Sequence, residues 1–152
     1  MGQCFQVKIM EFTRIKEARI NLNLTQKEMA NILGVQRGTY ASWECGNDTI
    51  PTKQLYKFAN YIGKSIDYLL ELNNKDKKIA CKKDINLIKL GENIIKIREK
   101  LNLSQLKFAQ SININQSTLW GYEKGKTLIT TASLISLANT YNISIDKLFD
   151  RI

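Results

Sequence analysis

Two pairs of oppositely charged residues stand at the same spacing in this chain, Arg19 with Glu44 and Arg98 with Glu123. A carboxylate beside a cation could act as an acid and base pair, or it could hold two elements together as a structural ion pair. The sequence offers little else for catalysis, because it contains no histidine, the commonest general base and a common zinc ligand. No nucleophile stands beside a base and no glycine-rich loop could cradle a phosphate, so we expect neither an enzyme nor a cofactor.

The three cysteines, Cys4, Cys45 and Cys81, are far apart and form no Cys-x-x-Cys pair. This spacing argues against a disulfide framework or a metal site and favours a reducing compartment. No stretch approaches the roughly 18 apolar residues of a membrane span, and the N-terminus lacks the apolar run of a signal peptide. We therefore expect a cytoplasmic protein with no membrane or metal partner, for which Met10 could be the natural start.

An excess of positive charge indicates an anionic partner without identifying it. The chain has 23 Lys and Arg against 14 Asp and Glu, for a net charge of +9. Residues 73–89 contain six lysines and two aspartates, so this short segment alone carries 6 − 2 = +4. A nucleic acid, a membrane surface or plain solubility would all be compatible with such a charge.

The sequence repeats itself, because residues 12–72 align with residues 91–151 without a gap, at a constant offset of 79. Nineteen of the 61 aligned positions are identical, and both charged pairs are among them. Two copies of one small domain is the simplest interpretation, since each copy is long enough to form a core. The predicted organisation is a first domain at 1–72 with its core at 11–72, a basic linker at 73–89, and a second domain at 90–152.

Each copy is predicted to be all-helical, because its apolar residues recur with helical rather than alternating spacing. Five short helices are expected in each copy. The first-copy helices are predicted near 11–22, 26–33, 37–45, 53–61 and 66–71, and the second-copy set between Asp84 or Ile88 and Asp150.

The positions where these helices start and stop are marked by residue type. Tight turns are predicted where glycine in the first copy is replaced by asparagine in the second, because these two residues most easily adopt a left-handed backbone. The predicted turns are at Gly34 with Asn113 and at Gly63 with Asn142. The predicted N-caps are Thr25, Ser104, Thr52, Thr131, Ser65 and Ser144, with a capping box between Thr25 and Glu28.

The order of these signals resembles the helix-turn-helix domains of the Cro and phage-repressor class, the XRE family. In the first copy the resemblance runs through Leu24-Thr25-Gln26-Lys27-Glu28-Met29-Ala30, the turn at Gly34, and Thr39 to Gly46. The second copy repeats it in Leu103-Ser104-Gln105, Ala109 and Thr118 to Gly125, with Lys107 where the family usually places glutamate. The resemblance implies two tandem lambda-repressor-like five-helix domains joined by the basic linker.

In that family the third helix presents its N-terminal residues to base edges in the major groove, while the second crosses the DNA backbone. The resemblance thus implies a sequence-specific double-stranded DNA-binding transcriptional regulator, a repressor. Arg37 suits guanine, whereas Gln36, Asn115 and Gln116 have the donor and acceptor that adenine requires. The implied DNA-binding residues are Thr25, Gln26, Gln36, Arg37, Gly38, Ala41, Ser42, Ser104, Gln105, Asn115, Gln116, Ser117, Trp120 and Gly121.

Comparison of the copies separates a shared scaffold from a changed surface. The resemblance makes five positions in each copy base-facing: Gln36, Arg37, Gly38, Ala41 and Ser42 in the first, and Asn115, Gln116, Ser117, Trp120 and Gly121 in the second. All five differ between the copies, so two tethered recognition helices are expected to read two different half-sites. The lysines of the linker, Lys77, Lys78, Lys82 and Lys83, could run along phosphates, or the linker could be only a solvated hinge. The resemblance also implies that Arg19 with Glu44, and Arg98 with Glu123, are structural ion pairs.

Several residues have a second interpretation. Asn115 could be only an N-cap and Gln36 only a solvated surface residue, while Trp43 and Tyr122 are expected in the core. Trp120 has no counterpart in the first copy and could pack on DNA, on the linker or on another protein.

The alternative function is a protein-interaction module, such as an antitoxin-like or inhibitor protein, in which one or both copies serve for dimerisation or partner capture. This role would belong to the second copy, which has no Arg or Lys on the first turns of its recognition helix. The expected partners are therefore double-stranded DNA and, in the alternative, a homodimer or another protein.

Overall fold

The structure, a computed structural model, describes residues 12–80 and 83–152 and is all-helical within them. In these ranges the ten α-helices are α1 (Thr13–Asn21), α2 (Gln26–Leu33), α3 (Arg37–Glu44), α4 (Thr52–Ile62), α5 (Ile66–Leu69), α6 (Leu87–Lys100), α7 (Gln105–Ser111), α8 (Gln116–Glu123), α9 (Thr131–Tyr141) and α10 (Ile145–Leu148). None of these helices is long and apolar enough to cross a membrane. Cys4, Met10, Cys81 and Lys82 lie outside the described residues.

The helices begin and end close to the predicted positions, and the turns between them are confirmed. Gly34 and Gly63 end α2 and α4 with φ of 73° and 67°, in the left-handed region. Asn113 and Asn142 stand at the equivalent places with φ of 59° and 52°. Since α6 begins at Leu87, the end of the predicted linker is helical.

Most of the predicted N-caps are confirmed. The Thr25 hydroxyl accepts from the Glu28 N–H at 3.1 Å, and the Glu28 carboxylate accepts from the Thr25 N–H at 2.7 Å, which completes the capping box. The hydrogen bonds that the Thr25 N–H and hydroxyl donate to the Glu28 carboxylate lower the pKa of Glu28. Ser65, Ser104 and Ser144 each accept from the backbone N–H three residues further along the chain.

The predicted caps at Thr52 and Thr131 are wrong. Each is the first residue of its helix, and the residues before them, Pro51 and Thr130, stand at the N-cap. Both threonines are buried. A buried hydroxyl requires a hydrogen-bond partner, and each of these two has its partner in the other copy of the repeat.

Packing divides the described residues into two compact units, residues 12–49 and residues 50–152. The first unit holds α1, α2 and α3. Tyr40 and Trp43 meet edge to face in its interior, with ring centroids 6.1 Å apart. The other buried apolar residues of this unit are Phe12, Ile15, Ala18, Met29, Ala30 and Leu33.

The second unit holds α4 to α10, and its α6 and α8 approach very closely. A Cβ atom at Gly91 in α6 would lie only 2.5 Å from the Glu123 carbonyl oxygen and 2.7 Å from that of Tyr122. A side chain at this position would push the two helices apart. Beside them the Phe108 ring stacks on Tyr141, with centroids 5.4 Å apart.

Within the second unit, α4 and α9 exchange hydrogen bonds reciprocally. The Thr52 hydroxyl donates to the Ile129 carbonyl at 2.6 Å, and the Thr131 hydroxyl donates to the Ile50 carbonyl at 2.6 Å. The two donors are equivalent positions of the repeat, and so are the two acceptors. Such an exchange is what an isologous twofold contact between identical subunits produces.

The short helices α5 and α10 continue the exchange through two buried aspartates. The Asp146 carboxylate accepts from the Ser65 hydroxyl at 2.5 Å and from the N–H that opens α5 at 3.1 Å. The Asp67 carboxylate accepts from the Ser144 hydroxyl at 2.5 Å and from the N–H that opens α10 at 2.7 Å. Each aspartate therefore caps the short helix of the other copy. We call these threonine and aspartate contacts together the reciprocal interface.

Arg151 is the part of this region that breaks the symmetry. Its buried guanidinium pairs with the Asp146 carboxylate and donates to Asn60 Oδ1 at 3.0 Å and to the Lys64 carbonyl at 3.1 Å. The guanidinium also lies 5.6 Å from the centre of the Tyr56 ring. Arg151 thus ties the end of the second copy to α4 of the first.

The start of the predicted linker is attached to the turn between α4 and α5. The Ile79 N–H donates to the Gly63 carbonyl at 2.9 Å, and the Ser65 N–H donates to the Lys77 carbonyl at 3.2 Å. The Ile79 side chain is buried. Residues 77–79 are therefore a fixed part of the second unit.

The packing units do not coincide with the repeats. Helices α4 and α5 belong to the first repeat, yet their buried hydroxyl and carboxyl groups are satisfied by α9 and α10. The boundaries predicted from the repeat, 1–72, 73–89 and 90–152, describe where the sequence is duplicated and stay a prediction for the folding domains.

Candidate nucleic-acid interface

Each copy contains a pair of helices joined by a tight turn, α2 with α3 and α7 with α8. The turn follows Gly34 in the first copy and Asn113 in the second, both with a left-handed backbone. This is the geometry that the predicted helix-turn-helix requires, with α3 and α8 in the place of the recognition helix.

In the first copy the recognition helix is anchored at its C-terminal end by a buried ion pair. Arg19 Nε donates to Glu44 Oε1 at 2.7 Å and Arg19 Nη2 donates to Glu44 Oε2 at 3.1 Å. Burial alone would raise the pKa of Glu44, but hydrogen bonds from Arg19 and Gln26 outweigh it and hold that pKa below its ordinary value. The carboxylate is therefore ionised at neutral pH and suited to a structural role.

The second copy has the same pair in the same geometry. Arg98 Nε donates to Glu123 Oε1 at 2.6 Å, and Arg98 Nη2 donates to Glu123 Oε2 at 3.3 Å. The Glu123 hydrogen bond raises the pKa of Arg98. Each arginine also donates to a backbone carbonyl before the next helix, that of Leu24 or Leu103. The pair fixes α1 to α3 and α6 to α8.

The glutamines that open α2 and α7 rest on these ion pairs. Gln26 Nε2 donates to Glu44 Oε2 at 2.9 Å, and Gln105 Nε2 donates to Glu123 Oε2 at 2.6 Å. In the first copy Arg37 Nη2 also donates to Gln26 Oε1 at 3.3 Å. The glutamines are thus oriented from below by the carboxylate, with Gln26 in turn holding Arg37.

The first turn of α3 is exposed. Gln36 is the N-cap residue but makes no side-chain cap hydrogen bond, so its amide is not used in holding the helix. Arg37 and Gly38 are also exposed, and a Cβ atom at Gly38 would meet nothing within 4 Å. A base edge could therefore approach this turn closely.

The first turn of α8 is exposed too, but Asn115 has a structural duty. Its amide oxygen accepts from the Thr118 N–H at 2.7 Å and from the Ser117 hydroxyl at 2.8 Å. A bidentate contact with adenine requires the amide oxygen as an acceptor. Because the Asn115 oxygen caps the helix, only the NH2 group of Asn115 is available to a base. Gln116, exposed and the next residue along, is better placed for adenine.

Two residues predicted to face DNA also contact the loop after the recognition helix. The Ser42 hydroxyl donates to Asp48 Oδ2 at 2.9 Å. Its counterpart Gly121 is buried, and a Cβ there would lie 2.8 Å from Thr127 Oγ1. The close approach of this loop covers Gly121, whose contact with DNA stays a prediction.

The aromatic residues divide as expected, with Trp43 and Tyr122 buried in the core. Trp120 is 41% exposed, and Lys126 Nζ lies 4.3 Å from the centre of its ring. Its counterpart Ala41 is half-buried and offers no comparable surface. The exposed Trp120 and Lys126 together form a cation–aromatic surface in the second copy alone.

Sequence reasoning missed Leu106, which is 50% exposed on the first turn of α7. Its counterpart in the first copy is Lys27, also exposed. The signal was present in the alignment, since a cation in one copy stands opposite an apolar residue in the other. The second copy is therefore more apolar than the first at this position of its helix pair.

The hydroxyl groups that cap α2 and α7 differ in whether their own hydrogen is already donated within the chain. The Thr25 hydroxyl both accepts from the Glu28 N–H and donates to the Glu28 carboxylate, at 2.8 Å for the latter. The Ser104 hydroxyl accepts from the Lys107 N–H, but the Lys107 side chain cannot accept a hydrogen bond from that hydroxyl in return. Ser104 is thus the better of the two for donating to a phosphate.

Comparison with known proteins follows these two helix pairs. A family model described as a helix-turn-helix domain matches residues 13–75, and a second, described as helix-turn-helix, matches residues 94–148. No solved structure matches the chain. The two models lie in tandem and together include both recognition helices.

Two curated relatives come from Bacillus subtilis strain 168. One is named an uncharacterised HTH-type transcriptional regulator, YqaE, and is 36% identical over 74 residues, which is 47% of this chain and 64% of that protein. The other is named an SPbeta prophage-derived uncharacterised HTH-type transcriptional regulator, YonR, and is 36% identical over 58 residues, 38% of this chain and 54% of that protein. The chain thus spans less than two thirds of the length of either relative. With two matched domains and these relatives, the chain belongs to the XRE-type family of helix-turn-helix proteins and carries two tandem copies of its domain.

Proposed function

We propose that this chain is a double-stranded DNA-binding transcriptional repressor whose recognition helices α3 and α8 read two different half-sites. The observation that carries the proposal is the contrast between the copies: the same ion pair and glutamine support each recognition helix, while the exposed side chains above them differ.

The first copy is proposed to read guanine. A guanidinium can donate two parallel hydrogen bonds to guanine O6 and N7. Arg37 is exposed and its Nη2 is already held by Gln26 Oε1 at 3.3 Å, so part of the ordering cost is met before DNA binds. Gln36, with its amide free of capping, is proposed to contact the neighbouring base.

The second copy is proposed to read adenine through Gln116, whose amide supplies the donor and acceptor that adenine N7 and N6 require. Asn115 caps the helix and contributes at most its NH2 group. The expected half-site under this copy is therefore adenine-rich and differs from the one under the first copy.

Phosphate contacts are proposed to come from two sources. The N-termini of α2 and α7 present the first-turn amides that the caps Thr25 and Ser104 do not use, together with the positive end of a helix dipole. Lys77, Lys78 and Lys83 are exposed, and the backbone at residues 77–79 is fixed on the α4–α5 turn rather than free as a hinge.

Neutralising these three lysines together with Lys82 should reduce the slope of log affinity against log salt by up to about 0.9 for each phosphate that these lysines neutralise. An unchanged slope would assign the linker no role in binding.

Selection from random DNA duplexes with the intact chain is the direct test. The expected result is one asymmetric site, with a guanine-containing element at one end and an adenine-rich element at the other. A perfect palindrome with two identical halves would falsify the proposal of two half-sites.

Repression is tested by transcription in vitro from a promoter that overlaps the selected site. A repressor lowers the yield of transcript as the chain saturates its site, and the same promoter with a scrambled site is the control. A rise in transcript on saturation would show an activator instead.

A second candidate function applies to the second copy alone, and the exposed Trp120 and Leu106 favour it. Exposed apolar side chains on α7 and α8 fit a protein partner better than they fit phosphates. In the full chain, Trp120→Ala and Leu106→Lys should leave DNA affinity unchanged if this copy captures a protein. A loss of affinity in Trp120→Ala would place this surface on DNA.

A further inference from the structure

The two copies have the same backbone around Asp67 and Asp146. The Leu72 N–H donates to the Asp67 carbonyl at 2.9 Å, and the Arg151 N–H donates to the Asp146 carbonyl at 2.9 Å. The residue before each of them has a left-handed backbone, with φ of 59° and 52°. The side chains at positions 72 and 151 therefore leave equivalent points in equivalent directions.

Around Asp146 the space in front of the carboxylate is filled by the Arg151 guanidinium. The group meets three acceptors there: the Asp146 carboxylate, Asn60 Oδ1 at 3.0 Å and the Lys64 carbonyl at 3.1 Å. The Arg151 side chain is completely buried. These three acceptors around Asp146 are therefore arranged to bind a planar cation such as a guanidinium group.

Around Asp67 the equivalent space is a cavity of about 250 Å³. Asp67, Asn139 and Ile143 line it, and they stand at the positions equivalent to the three partners of Arg151. Leu72, which also lines the cavity, has no donor to offer them. The acceptor arrangement is thus present twice, while the internal cation is present once.

Asp67 is buried, with only 4% of its surface exposed, and it has no ion-pair partner within the described residues. Burial raises the pKa of Asp67, and the nearby Asp146 charge adds to that rise. A cation in the cavity would offset both effects, because it favours the ionised form of the Asp67 carboxyl group. The cavity is therefore electrostatically suited to a positive ligand.

We propose that the Asp67 cavity is a binding site for the guanidinium group of a ligand, held by the Asp67 carboxylate, the Asn139 amide oxygen and the Ile143 carbonyl. The ligand is either a small molecule or an arginine side chain of a peptide, since both present the same group. This site lies in the reciprocal interface and is separate from the recognition helices, so its test does not require DNA.

Calorimetric titration of the full chain with methylguanidinium tests the site, and methylammonium is the matched control. We expect one saturable site per chain and a dissociation constant at least tenfold lower for methylguanidinium, because a planar fork can donate to several acceptors at once. Equal affinity for the two cations, or no saturable binding, would overturn the proposal. Titrations with free arginine and with a blocked arginine tripeptide then show which source of the group binds more tightly.

Leu72→Arg supplies the missing cation from within the chain. We expect this variant to melt at a higher temperature than the parent and to lose methylguanidinium binding, because its own guanidinium occupies the cavity. Binding with an unchanged dissociation constant in the folded variant would contradict the proposal.

Asn139→Ala gives an independent test that does not depend on the fold of the first variant. Asn139 is exposed and lies on α9, so its loss should leave the melting temperature unchanged while weakening methylguanidinium binding severalfold. Thr140→Ala, at the exposed neighbouring residue, is the matched control and should bind as the parent does. Equal binding by the two variants would exclude Asn139 from the site and overturn the proposed acceptor set.

Discussion

Gln26 and Gln105 occupy equivalent positions in the two copies, but the partners of their side-chain amides differ. Both donate Nε2 to the glutamate of the ion pair below, at 2.9 Å and 2.6 Å. Only Gln26 also accepts from an arginine of the recognition helix, Arg37, since the equivalent position in the second copy is Gln116. The comparison shows that the same supporting glutamine and glutamate can carry different exposed side chains on the recognition helix, and that in the first copy the hydrogen bonds continue to the exposed Arg37.

The largest expected effect tests the support that the copies share. Glu44→Ala leaves Arg19 buried without its partner and should lower the free energy of unfolding by about 3 to 5 kcal/mol. Glu123→Ala should fall at the lower end of this range, because the Arg98 side chain is 17% exposed against 10% for Arg19. Thermal and denaturant unfolding measure both variants.

The exposed Glu17→Ala serves as the control and should unfold as the parent does. Melting of Glu44→Ala or Glu123→Ala at the parent temperature would show that the pair is not needed for stability. A changed sequence preference with unchanged melting would assign the glutamate to DNA reading instead.

The next largest effect sharpens the comparison at the reciprocal interface. Asp146→Asn should cost about 3 kcal/mol, because it leaves the buried Arg151 guanidinium without a counter-charge. Asp67→Asn should cost only about 1 kcal/mol, since it weakens hydrogen bonds to α10 but leaves no buried cation unpaired. Denaturant unfolding of the two single variants and the double variant measures the difference, and equal costs would contradict the assigned role of Arg151.

A smaller effect concerns the reading side chains themselves. Arg37→Ala should remove about 1 to 3 kcal/mol of discrimination at a guanine and leave the rest of the site as before. Gln116→Ala should relax the preference at an adenine under the other copy. Competition binding against singly substituted duplexes measures both, with the exposed Lys16→Ala as control. Loss of preference at the same base in both variants would break the distinction between the two half-sites.

The smallest effect is a difference in pH dependence between two buried carboxyl groups. The pKa of Glu44 is lowered in the folded chain, so its contribution to stability is present above the ordinary glutamate pKa and is lost as the pH falls through the lowered value. The pKa of Asp67 is raised, so its contribution is present below the ordinary aspartate pKa and is lost as the pH rises through the raised value.

Unfolding free energies measured across the acidic range should therefore change in opposite directions. Relative to the parent, Glu44→Gln should lose less stability on acidification, whereas Asp67→Asn should lose less as the pH is raised. The same slope in both variants would contradict the opposite shifts.

The helices could be predicted from the sequence because their signals are local. A left-handed turn at Gly34 or Asn142, or a cap at Ser65, depends on residues within a few positions. The ion pair followed from the family resemblance, and the structure contains it in both copies.

The reciprocal interface could not be predicted in the same way. Threonine is common at an N-cap, so the sequence predicts a cap at Thr52, but its hydroxyl donates to the Ile129 carbonyl in the other copy. Asp67 and Asp146 are identical residues at equivalent positions of the repeat, yet nothing nearby in the sequence indicates which amides they accept from. Gly121 likewise gave no local sign that a later loop residue, Thr127, would cover it.

The reciprocal interface also sets an order of events during synthesis. Helices α4 and α5 leave the ribosome well before α9 and α10. Until then the Thr52 hydroxyl lacks its acceptor, the Ile129 carbonyl, and α5 lacks its cap, Asp146. Arg151, which anchors α4, is translated last of all these residues. The nascent first repeat therefore cannot complete its own fold, and a chain stopped between the repeats would expose the surface that α9 and α10 cover, which makes it a natural target for chaperones and proteases.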